Sequence, residues 1–175
     1  MNTPTNTSET EFWLQGPVPG IPALLQPAAH ALLQSKRELY SYTKDFPISL
    51  LWDRPFGRAS VGFHMQHMAG VVDRMLTYAA AKPLSEAQFA YLKNEGTSNN
   101  ELTITALVQQ FNNQVEEALH YFKQIPEHTL TEIRTVGRKK LPSTVIGLLY
   151  HAAEHSQRHV GQLLVTVSIL NGSKV

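Results

Sequence analysis

Cysteine is absent from the 175 residues of this chain. Its absence excludes disulfide scaffolds, cysteine-based zinc sites, iron–sulfur clusters and thiol nucleophiles, and it fits a reducing compartment. The length predicts one domain. A chain of this size buries about 70% of its unfolded surface, so its core needs no disulfide bond or structural metal ion to be stable.

Charge is also scarce. Charged residues make up 17% of the chain, below the roughly one quarter that is usual, and the formal net charge is +1. Most nucleic-acid-binding proteins have a clear excess of basic residues, which this chain lacks, so we expect no nucleic-acid partner. The low charge also suggests that a second subunit covers part of the surface, which predicts a homodimer.

Long apolar runs and targeting signals are missing as well. No stretch reaches the roughly 18 apolar residues of a membrane-spanning helix, so we expect no membrane association. Residues 1–11 lack the basic and apolar regions of a secretory signal. We expect a cytoplasmic protein with a flexible N-terminal tail over residues 1–15 and one domain over residues 16–172.

Apolar residues recur at helical spacing in four long segments. A short helix is expected near Pro83–Phe89, and the loops over residues 45–59 and 126–142 are long, with no strong strand signal. We therefore predict an all-α fold, a four-helix bundle with longer inter-helix loops. The predicted helices run from about Pro27 to Tyr42, from the cap Ser60 to about Ala81, through Leu107–Phe122 with an end at Pro126, and from about Thr144 to Leu170.

Three of the eight histidines lie on the last predicted helix, at His151, His155 and His159. A spacing of four places them on successive turns. The helical wheel puts His155 and His159 within the apolar face and His151 at its edge. Two imidazoles that face one way can share a divalent metal. The alternative is a pair of buried histidines that hydrogen-bond to each other or to water.

A third ligand has to come from another helix, and the second helix offers His64 and His67. Periodicity favours His64 as the more buried of the two, but it does not say which one faces the last helix. Asp73 and Arg74, farther along, are interpreted as a solvated or interface pair. Gln162 lies one turn beyond His159 and is a candidate for lining the site.

Two segments together, SVGFHMQHMAGVVDR at 60–74 and LYHAAEHSQRHVGQ at 149–162, resemble the DinB/YfiT superfamily of small metal-binding four-helix bundles. The resemblance extends from about Gly16 to Leu170. It implies one divalent metal, zinc or nickel, bound by His67, His155 and His159. His64 and His151 then become residues that support a ligand or line the site.

The resemblance also implies two chemistries, because three protein ligands leave coordination positions open. Some proteins of this kind resemble metal-dependent hydrolases, and others are transferases that join a low-molecular-weight thiol to an electrophile. The fold does not choose between them, and the small-molecule substrate and the catalytic residues stay open. The alternatives are a non-catalytic metal-binding or stress-associated interaction bundle, and a helical dimer whose histidines are purely structural.

Overall fold

The structure is a computed structural model that describes residues 10–172. This part of the chain is mostly helical, with a two-stranded sheet between the last two helices. The helices are α1 (Gln26–Thr43), α2 (Val61–Ala79), α3 (Glu86–Asn94), α4 (Ile104–Gln124) and α5 (Val145–Leu170), and the strands are β1 (Ile133–Val136) and β2 (Leu141–Thr144).

Side-chain caps fix where the long helices begin. Ser60, Thr103 and Thr144 each accept a hydrogen bond from a backbone N–H in the first turn of α2, α4 and α5. Such caps satisfy one of the N–H groups that a helix start leaves unpaired. Pro27 lies in the first turn of α1, where its missing N–H leaves no bond unmade. These starts confirm the predicted boundaries of α1, α2 and α5 to within a residue or two.

The four long helices form the predicted bundle. Both α1 and α2 pack against α4 and against α5, and one continuous core of buried apolar side chains lies between them. The short helix α3 packs on α2. It begins at a capping box formed by Ser85 and Gln88 and ends at Asn94, later than the sequence predicts. The fold is therefore an all-α four-helix bundle with long connections.

The connection over residues 126–142 differs from the prediction of a loop without strands. β1 and β2 pair antiparallel, with Ile133 opposite Thr144. Neither strand alternates apolar and polar residues, since β1 reads IRTV and β2 reads LPST, which explains why the sequence does not reveal them. The Arg134 guanidinium donates a 2.8 Å hydrogen bond to the Ala79 carbonyl and so ties the hairpin to the end of α2.

At the start of the chain, residues 1–9 lie outside the described residues. Within the rest of the predicted tail, Phe12–Leu14 form a 3-10 turn, and the Phe12 N–H donates a 3.4 Å hydrogen bond to Gln34 on α1. The tail and the domain limits stay predictions. Within residues 10–172, no helix is both long enough and apolar enough to cross a membrane.

Candidate metal centre

Three histidine rings meet where α2 packs against α5. One candidate ligand atom from each of His67, His155 and His159 lies within 4.8 Å of the other two. Within this group, His67 Nε2 and His155 Nε2 lie 3.0 Å apart. The structure thus brings together the three residues that the family resemblance implies as ligands.

His64 lies beside this group rather than within it. The residue is 4% exposed, so the burial that helical periodicity predicts is confirmed. Its Nδ1 atom is 2.9 Å from Nδ1 of His159, and one ring donates a hydrogen bond to the other. His159 therefore has one nitrogen held by His64, which leaves Nε2 as its candidate ligand atom.

The remaining predicted residues lie at the margin. His151 is partly exposed, and its ring centroid is 4.9 Å from that of His155. Its Nδ1 atom is 2.8 Å from Glu154 Oε1. Gln162 is exposed and lines a cleft that also borders His64. His151 does not belong to the group formed by His67, His155 and His159.

Glu95 is the site residue that the sequence reasoning missed. The Nδ1–H of His67 donates a 2.6 Å hydrogen bond to Glu95 Oε2, and Arg74 Nη1 donates a 2.6 Å bond to Glu95 Oε1. The Glu95 side chain is 3% exposed and that of Arg74 is 7% exposed. A carboxylate on Nδ1 fixes the proton there and leaves the Nε2 lone pair toward the other rings. The interpretation of Arg74 as a solvated or interface residue is therefore wrong.

The segment that carries Glu95 is fixed to α2. The Gln66 side-chain oxygen accepts a 2.7 Å hydrogen bond from the Gly96 N–H, and the Gln66 carbonyl accepts one from the Tyr91 hydroxyl. Gly70 provides the room, because a Cβ atom there would collide with Glu95, Arg74 and Tyr91. Sequence spacing alone gives no signal for this contact, because the direction of α3 is set by tertiary packing.

The electrostatics of the cluster favour neutral rings. Burial lowers the pKa of His64 to about 4, with a further contribution from His67. Burial also lowers the pKa of His155 to about 4 and that of His159 to about 3, with neighbouring histidines adding to both shifts. At neutral pH these imidazoles are therefore uncharged, which is the form that binds metal ions.

The donor set fits one divalent cation. Nitrogens that ligate a tetrahedral zinc ion at about 2.0–2.1 Å lie about 3.4 Å apart, which is compatible with the spacing of these three rings. Nδ1 of His155 is buried and has no hydrogen-bond partner among residues 10–172. Most buried polar atoms in proteins have a hydrogen-bond partner, and this ring nitrogen is an exception.

A second group of possible ligands consists of His151, Glu154 and His155. It shares His155 with the first group. Arg158 donates hydrogen bonds of 2.8 and 3.1 Å to the Glu154 carboxylate, and a guanidinium cation at that carboxylate opposes a metal cation there. The group of three histidines is therefore the better candidate.

The chain is similar to a known protein family. Residues 31–163 match the family model described as DinB superfamily. The matched span starts within α1 and ends within α5, so it includes all three histidines and Glu95. A comparison with curated proteins finds no match.

Proposed function

The chain belongs to the DinB superfamily, and on that basis we propose that it is a metal-dependent enzyme that activates a thiol or a water for attack on a small electrophile. His67, His155 and His159 are the proposed ligands of one divalent ion. The observation that carries this proposal is that one candidate ligand atom from each of these residues, one on α2 and two on α5, lies within 4.8 Å of the other two. Three ligands leave coordination positions open for a reactant.

The neighbouring residues orient the ligands. Glu95 accepts the Nδ1 proton of His67, and Arg74 holds the Glu95 carboxylate from its other side. His64 plays the same part for His159, because Nδ1 of His159 can donate to Nδ1 of His64. Partners of this kind fix the ring orientation and raise the basicity of a ligating histidine.

The chemistry supplied at this position would be Lewis acidity, which lowers the pKa of a water or thiol that reaches an open coordination position of the cation. Both nearby carboxylates are already engaged, since Glu95 pairs with His67 and Arg74 while Glu154 pairs with His151 and Arg158. Neither is free to act as a general base. This favours thiol transfer over hydrolysis, because hydrolysis gains more from a base that takes a proton from water.

Zinc and nickel are the ions we propose first, because neutral imidazole suits both. The metal site is tested by elemental mass spectrometry on tag-free protein and on His67→Ala, His155→Ala and His159→Ala variants. We expect about one metal per chain, lost in each variant. His128→Ala is the matched control, because His128 is exposed and outside the cluster. Full metal content in all three ligand variants would contradict the site.

The activity is tested on metal-loaded protein with a panel of low-molecular-weight thiols and a generic electrophile, beside an esterase and amidase panel. We expect thiol consumption that depends on the metal and is lost in His155→Ala.

A second candidate function is a non-catalytic metal-binding or stress-associated bundle. It is favoured by the ion pairs of Glu95 and Glu154, which leave neither carboxylate free to act as a base. No activity in either substrate panel, measured with fully metal-loaded protein, would support that alternative.

A further inference from the structure

A cleft of about 490 Å³ opens beside the histidine cluster, between the chain just before α2 and the outer face of α5. Its lining includes Arg58, His64, Arg158, Gln162 and Thr166. His64 lines the cleft, and its Nδ1 atom lies 2.9 Å from Nδ1 of His159, so the cleft is adjacent to the group formed by His67, His155 and His159. The volume is in the range of small-molecule sites.

The cleft is positively charged. Among residues 10–172, two guanidinium groups line it, those of Arg58 and Arg158, and no carboxylate does. The Arg58 side chain makes no hydrogen bond or ion pair with any residue between 10 and 172. Arg158 uses one nitrogen, Nη2, on Glu154, which leaves other N–H donors of its five for a ligand.

We propose that this cleft binds the carboxylate of the substrate or co-substrate, held by Arg58 and Arg158 while the reactive end of the molecule faces the histidine cluster. A guanidinium matches a carboxylate in shape and charge and can bind it through two parallel hydrogen bonds. Glu154 offsets part of the positive charge, which suits a singly charged carboxylate better than a doubly charged phosphate. The role of this subsite in catalysis rests on the proposed function. The subsite narrows the proposed substrates of that function to small organic carboxylates.

The turn before Arg58 adds an apolar surface. Phe56 has φ of +51°, in the left-handed region that bulky residues rarely adopt, and its side chain is 88% exposed. The turn Pro55–Gly57 packs against α5. Strained residues of this kind persist where the surrounding structure holds them, often at ligand sites. Phe56 is not among the residues that line the cleft, so the proposed subsite rests on Arg58 and Arg158 and not on this turn.

The test uses metal-free protein, so that its outcome does not depend on the metal site. Amide chemical shifts of ¹⁵N-labelled full-length chain are followed during titration with 3-mercaptopropionate and, separately, with the neutral thiol 2-mercaptoethanol. We expect saturable shifts at Ala59 and Gly161 with the carboxylate probe only. Arg58→Gln should weaken this binding about tenfold, the effect of losing one charged hydrogen bond, and Arg158→Gln should weaken it as well.

Lys139→Gln is the matched control, because it removes one exposed positive charge on the hairpin, away from the cleft. It should leave the affinity unchanged. Equal responses to both probes, no shift near the cleft, or equal losses in Arg58→Gln and Lys139→Gln would overturn the subsite. Loss of the metal site would appear instead in the elemental analysis, with the cleft titration unaffected, so the two failures are distinguishable.

Discussion

At the scale of single residues, Glu95 connects the histidine cluster to the rest of the fold. Its two oxygens contact His67 and Arg74, both at 2.6 Å, and its side chain is almost fully buried. A buried carboxylate with two charge-assisted contacts positions whatever it holds. Glu95 is therefore a positioning residue for His67, and its removal should affect metal binding without removing a ligand.

We predict that Glu95→Gln lowers metal affinity by about 10- to 100-fold, the usual effect of losing a partner behind a metal ligand. It should also destabilise the fold, because Arg74 is left buried without its counter-charge. The affinity is measured by competition with a chromogenic chelator, and the stability by urea unfolding.

A double variant separates the two effects. Arg74→Met together with Glu95→Gln removes the unpaired buried charge, so stability should recover while the metal affinity stays low. Glu154→Gln is the matched single change at a carboxylate whose side chain is more exposed, and it should affect the affinity little. Wild-type affinity in Glu95→Gln would show that Glu95 does not orient His67.

The sequence predicted part of this site for clear reasons. Spacings of four on one helix determine that His155 and His159 share a face, and periodicity correctly ranked His64 as more buried than His67. It could not say which of the two faces α5, and the choice of His67 came from the family resemblance. Glu95 was missed because its contact joins residues 28 positions apart through a turn whose direction the local sequence does not determine.

At the scale of elements, the glycines of α2 and α5 make a direct comparison possible. Gly70 on α2 faces the Arg74–Glu95 pair, where a Cβ atom has no room. Gly161 on α5 faces open space. The same substitution should therefore have opposite effects in the two helices.

We predict that Gly70→Ala destabilises the protein by about 1–3 kcal/mol, as overpacking usually does. Gly161→Ala should stabilise it by up to about 1 kcal/mol, because alanine is the better helix former. Urea unfolding of the two variants beside wild type measures both changes. A stabilising Gly70→Ala would contradict the close packing of α2 against the segment of Glu95.

The long helices were predictable because the capping residues, the prolines and the spacing of apolar residues all indicate the same helical segments. Of the short elements, α3 was predicted near Pro83–Phe89 but extends to Asn94, and the hairpin of β1 and β2 was not predicted. The hairpin of β1 and β2 is held partly by the contact from Arg134 to the end of α2, and α3 is held by its packing on α2. Such contacts join distant parts of the chain, and propensity does not report them.

At the scale of the whole molecule, the buried histidines link stability to pH. The pKa of His64 falls from 6.5 to about 4 because of its burial. Between these values the unfolded chain binds more protons than the folded one. The contribution of His64 to stability is thus complete above about pH 6.5 and is lost as the pH falls toward 4.

We predict that metal-free protein is less stable at pH 5 than at pH 7 by about 2 kcal/mol for a shift of this size on one group, and that the loss approaches about 3 kcal/mol at the low-pH limit. Urea unfolding at several pH values measures this. His64→Gln removes one titrating group, so its stability should depend less on pH. A pH-independent free energy of unfolding between pH 7 and 4.5 would contradict the burial of neutral histidines.

The homodimer stays a prediction. A second apolar face of α5 could contribute to a dimer interface, but it lies mostly inside the bundle, where Leu149, Ala153 and Val160 are buried. Leu164 on the same face is 37% exposed, which leaves a smaller patch for a second copy. Light scattering distinguishes a mass of 19.6 kDa from its double, and we expect the larger value.

The proposed metal centre is tested most directly by an X-ray absorption spectrum at the metal edge of the zinc-loaded protein. We predict three imidazole nitrogens at about 2.0–2.1 Å, completed by oxygen from solvent, and a loss of one imidazole in His155→Ala. A first shell with no imidazole or only one, or no tightly bound zinc at all, would contradict a site formed by His67, His155 and His159.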